Sequence, residues 1–78
     1  MDPQASWNEM LEAIIQRDWD EVLERAEGLL NWMRKGGVPP QTAAVIMLPQ
    51  WNRTIAELGC LMALQLVKKA QRRKQRRD

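Results

Sequence analysis

The chain has 78 residues with 45% hydrophobic content, 12 Lys or Arg against 10 Asp or Glu for a net charge of +2, four Trp, one Cys and no His, Tyr or Phe. That is one small domain, too apolar to be disordered throughout, whose core alone supplies only about 3–5 kcal/mol. A single cysteine without histidine excludes an internal disulfide and a Cys/His metal site, which leaves self-association as the available staple.

The opening, MDPQASWNEM, is acidic and polar and offers no export signal, so a cytoplasmic location is expected. Ser6 with Glu9 three positions on has the spacing of a capping box, and Trp7, Met10, Leu11, Ile14 and Ile15 recur at helical spacing. A helix is predicted over about 7–17. In DWDEVLERAEGLLNWMRKGG the capping spacing repeats at Asp18 and Glu21, and Trp19, Val22, Leu23, Ala26, Leu29, Leu30 and Met33 form one apolar stripe. Arg34, Lys35 and Gly36 end it with positive charge and a glycine stop, giving a second helix over 19–35. With so short a link, the two should fold back as a hairpin. The piece DWDEVLERAEGLL resembles the first helix of a tetratricopeptide repeat, with an aromatic after Asp and the small Ala26 where helices pack closely. It covers thirteen residues in one copy, whereas that family stacks several units of about 34 residues, so no membership follows. What the resemblance implies is a peptide-binding adaptor.

GGVPP is a loop, because two prolines keep Val38 and Pro39 out of helical conformation. Pro40 suits a first helical position, so PQTAAVIM predicts a short helix over 40–47, ended or kinked by Pro49. A long final helix is predicted over about 49–73, apolar on nearly every side between Ile55 and Val67. Its longest nearly apolar stretch, Leu58 to Val67, has ten residues interrupted by Gln65, while a membrane crossing takes about 20. A helix apolar all round has to be covered all round, which the preceding helices can scarcely do, so a second copy is expected against Ile55, Leu58, Leu61, Met62 and Leu66. Gly59 and Ala63, four apart, would also admit another backbone closely. The fold class is thus all-α, a small bundle of three to four helices combining a hairpin with a long apolar C-terminal helix.

Trp7, Trp19 and Trp51 fall in apolar stripes and are expected to anchor the core, while Trp32 either covers the Gly-Gly-Pro-Pro loop or stands exposed as a further contact anchor. Cys60 is expected to pack as a small apolar side chain, and the methionines other than Met1 to fill gaps. Histidine-based acid–base chemistry is excluded, and the carboxylates have the spacing of solvated helix faces rather than of a paired active site or a calcium loop. Lys35-Gly36-Gly37 ends a helix instead of opening a phosphate loop. No catalytic, cofactor-binding or metal residue is assigned, and a non-enzymatic binding module is expected.

Charge divides the chain. Residues 1–67 hold five Lys or Arg and nine Asp or Glu, a net of −4; residues 68–78 hold seven and one, a net of +6. The organisation expected is a helical domain over 1–67 and a basic tail or helix extension over 68–78. Lys68, Lys69, Arg72, Arg73, Lys74, Arg76 and Arg77 are its candidate contact residues, since cations placed on phosphates release counterions and arginine grips them bidentately. In composition the tail resembles arginine-rich segments that order on RNA, but it holds no aromatic for base stacking. Nucleic acid is the first candidate partner. Acidic protein surfaces, including the first two helices of the same or a neighbouring chain, remain alternatives, as do an anionic membrane surface and plain solvation.

Overall fold

The computed structural model describes residues 1–76, with side chains through Arg73. The chain is an all-α bundle. Helices α1 (Pro3–Gln16), α2 (Trp19–Arg34), α3 (Ala44–Met47) and α4 (Asn52–Arg76) follow one another, with a 3-10 turn over Pro49–Trp51 between the last two.

Helix α1 starts four residues before the expected Trp7. Asp2, not Ser6, is the cap: its Oδ1 accepts from the Ala5 N–H at 3.1 Å, and Pro3 takes the first position, where its missing N–H costs nothing. Ser6 lies inside the helix, buried against the core. The helix ends in a Schellman arrangement, with the Asp18 N–H donating to Ala13 O at 2.9 Å and Arg17 forced into the left-handed region at φ 57°.

After Arg17 the chain reverses, and α2 packs back along α1 as the expected hairpin. Asp18 caps α2 by accepting from the Glu21 N–H at 3.4 Å, Asp20 and Glu21 complement the dipole, and Gly36 closes the far end at φ 89°. Arg25 ties the hairpin across its exposed side, 2.8 Å from Glu9 and 2.7 Å from Glu21. Val22, Ala26, Leu29, Leu30 and Met33 form the buried stripe of α2, which α1 and α4 cover from two sides.

The predicted helix over 40–47 shrinks to the single turn of α3. Residues 40–42 spend their backbone groups on side chains from other elements instead of on a helical ladder. Gln4 accepts from the Gln41 N–H at 2.8 Å and donates to Gln41 O at 3.3 Å. Asn52, buried, accepts from the Thr42 N–H and hydroxyl at 2.9 and 2.7 Å and donates to Pro40 O at 2.9 Å. Pro40 is therefore a buried loop residue and not a helix start. Pro49 separates two helices rather than kinking one: Leu48 leaves helical conformation at φ −139°, ψ 62°, and Asn52 begins α4 three residues later than predicted.

Helix α4 runs antiparallel to α2, with Arg53 Nη2 donating to Met33 O at 2.8 Å and Gly37 O at 3.1 Å, so that a cation meets the carbonyl end of α2. Its inward face is Asn52, Ala56, Cys60, Ala63 and Val67, all buried. These are small for a core face, and they let α2 approach closely. The close approach expected at Gly59 is made within the chain, by the Trp7 ring: a Cβ on Gly59 would stand 2.6 Å from its tip.

Candidate functional site

With the small side of α4 turned inward, its large apolar side chains point out. Leu58, Leu61, Met62 and Leu66 are 52%, 44%, 68% and 39% exposed, and Trp51 just ahead of the helix is 53% exposed. The expectation that Trp51 anchors the core is overturned, because the 3-10 turn carries it past the inward face. Trp7 and Trp19 do pack, half-buried, against the core. Ile55 is half-buried beside the outward stripe. Trp32 covers the loop: its ring lies on Gly37, and its Nε1 donates to Val38 O at 2.7 Å. Among the interface candidates it is the one whose polar edge is already committed within the chain.

The outward stripe continues directly into the basic segment, for α4 crosses Val67 and Lys68 without interruption. Lys68, Lys69, Arg72 and Arg73 are all exposed. Arg77, and the side chains of Lys74 and Arg76, lie outside the described residues. Among the described residues, ion pairs within 4 Å join Arg25 to Glu9 and Glu21 and Arg53 to Glu57, and none involves the cations from Lys68 to Arg73. Lys68 borders the same cleft as Glu27 of α2, without an ion pair within 4 Å.

The fold gives charge a sharper boundary than the division at Val67. Residues 1–27, which form α1 and the first half of α2, hold two cations and eight carboxylates; residues 28–78 hold ten and two. From Gly28 to Arg73 the one carboxylate is Glu57, paired with Arg53 at 3.7 Å. A running charge tally along the chain would have found this. The expectation that the methionines fill gaps holds for Met10 and Met33, which are buried, and is overturned for Met62 and for Met47, which with Ile46 forms a second exposed group, 84% and 86% exposed on the single turn of α3. Ile46 and Met47 bury nothing in this chain, although the loop beneath them is pinned by Gln4, Thr42 and Asn52.

Between α2 and α4 an open cleft of about 770 Å³ is walled by Leu23, Leu30, Leu61 and Leu64, with Glu27, Arg34 and Lys68 at its edge. Among the described residues no group of three or more Cys, Asp or Glu converges to hold a metal ion. Nor is any buried side-chain polar atom there left without a partner. Burial pushes the Cys60 thiol up to about 11, with the Glu57 charge adding to the effect, so at neutral pH it is an unactivated thiol. No described helix is long and apolar enough to cross a membrane. Comparison with protein-family models, with curated proteins and with solved structures finds no match to this chain.

Proposed function

We propose that this is a non-enzymatic helical binding module that presents the basic end of α4 to the phosphates of a nucleic acid. The observation that carries the proposal is the state of Lys68, Lys69, Arg72 and Arg73: four exposed cations on one continuous helix, with no carboxylate of the described chain within 4 Å. A folded support keeps the charges close together, and each cation seated on a phosphate releases condensed counterions, an entropy gain that does not depend on base sequence. No aromatic lies in residues 68–78, so recognition is of the backbone.

The test is a titration of duplex DNA, RNA and heparin at two salt concentrations, with full-length protein and with protein lacking residues 68–78. The expected result is affinity that falls steeply with salt, with a logarithmic slope for duplex DNA of up to about −6 if all seven cations engage, and that disappears with the tail. Salt-insensitive binding, or none at low salt, overturns it. A protein–protein adaptor is the second reading, favoured by the exposed stripe Leu58, Leu61, Met62 and Leu66, which solvation alone does not explain.

A further inference from the structure

The outward face of α4 has a spacing of its own. Ile55, Leu58, Met62, Gln65 and Lys69, with Trp51 of the preceding 3-10 turn in line four residues earlier, alternate steps of four and three, the seam of a helix pair, and Leu61 and Leu66 flank it. We infer that a second copy of this chain covers this face with its α4 antiparallel to the first, related by a two-fold axis near Cys60. That register sets Leu58 against Met62 of the second copy, Ile55 against its Gln65 with its Leu66 alongside, and Trp51 against its Lys69.

Charge selects the direction. A parallel pair would lay seven cations of one tail beside seven of the other, whereas an antiparallel pair sends the tails to opposite ends. The same register gives the exposed Trp51 ring a cation to stack on, Lys69 of the second copy. The exposed parts of Trp51, Leu58, Leu61, Met62 and Leu66 amount to roughly 500 Å² per copy, or about 1,000 Å² for the pair, the lower bound for a specific interface.

Two-fold pairing near residue 60 also sets a length. At about 1.5 Å per residue the centres of the two basic segments stand roughly 37 Å apart, close to the rise of one turn of B-DNA. This second step rests on the nucleic-acid reading proposed above; the pairing itself does not.

Two proteins with one added cysteine each, W51C and K69C, test the pairing under mild oxidation, with the wild-type protein as control for the buried Cys60 that all three carry. Disulfide dimers are expected when the two are mixed and in neither alone, because like positions lie roughly 27 Å apart in an antiparallel pair. Sedimentation should give a dimer for the wild type and a monomer for M62E at unchanged far-UV helicity; Met62 is exposed, so the substitution leaves the core alone. Cross-linking of W51C with itself overturns the inference in favour of a parallel pair. A wild-type monomer overturns it too, including one whose apolar face instead sediments with anionic vesicles, as does a dimer that M62E leaves intact.

For the spacing, a duplex of about 14 base pairs should bind the wild type at least about tenfold more tightly than one of about 6, a gain that M62E loses. Equal gains for both proteins overturn the spacing. If the cross-link forms and no duplex binds, the antiparallel pair stands and the nucleic-acid reading falls.

Discussion

Arg17 and Cys60 each stand in a local environment with a measurable cost. Arg17 is held at φ 57° by the two carbonyl contacts that end α1, a conformation that L side chains other than Asn and Asp adopt at a penalty of about 1–2 kcal/mol. Arg17→Gly should therefore raise stability by about 1 kcal/mol in urea unfolding, the relief being partly offset by the extra freedom of glycine in the unfolded chain. Cys60 is fully buried against α2, and its thiol pKa of about 11 lies above the unfolded value near 9. The protonated form is the one the fold favours, so this contribution is complete below pH 9 and is lost as pH rises toward 11. On the order of 2 kcal/mol should disappear across that window, and Cys60→Ala should flatten the loss. In the native protein at pH 7 the thiol should also resist alkylation that proceeds freely in denaturant.

At the scale of the element, the segment from Pro40 to Trp51 owes its shape to Asn52 more than to its own residues. One buried amide closes Thr42 and Pro40 onto the start of α4, and Ala44 N–H in turn donates to the Thr42 hydroxyl at 3.1 Å. Asn52→Ala would leave the Thr42 amide and the Pro40 carbonyl buried without partners. The expected cost is about 2–3 kcal/mol by chemical denaturation, with most helical signal retained because α1, α2 and α4 do not depend on that amide. Greater protease sensitivity within 40–51 would localise the change. The proline-led pattern at 40–47 looked helical because a side chain from twelve residues away is invisible in a local window. Similarly, α1 began early because Asp2-Pro3 makes as good a start as Ser6 with Glu9, and both were present. Local rules permit either start, and with Asp2 as the cap the Ser6 N–H donates to Asp2 O at 3.0 Å, which places Ser6 inside the first turn.

For the whole molecule, the consequential fact is polarity in two senses. The first half of α2 is acidic and the end of α4 basic, and because the two helices run antiparallel these lie beside each other, with Glu27 and Lys68 bordering one cleft. In the nucleic-acid reading proposed above, a polyanion approaches the exposed cations of α4. The large apolar side chains of α4 are opposite the core, which is where a second chain can reach them. The salt-dependent titration and the duplex-length dependence belong at this scale, because the first depends on how many cations one chain offers and the second on the pairing inferred above. Loss of the tail should remove the first, and loss of pairing through M62E should remove only the second.

The amino-acid pattern by itself determined that the chain is helical, where α2 starts and stops, that α1 and α2 fold back on each other, and that Pro49 interrupts the last third. Those features are set within a few residues, by caps, dipole charges, glycine stops and the missing N–H of proline. The basic segment and the outward candidates Leu58, Leu61, Met62 and Leu66 were legible too, as composition and as a surplus of apolar surface. Which side of α4 is buried was decided only by tertiary structure. Around that helix apolar residues occur in every direction, so the apolar pattern does not choose. The choice is made by size: Ala56, Cys60, Ala63 and Val67 allow α2 to approach closely, while Leu58, Met62 and Leu66 would hold it off.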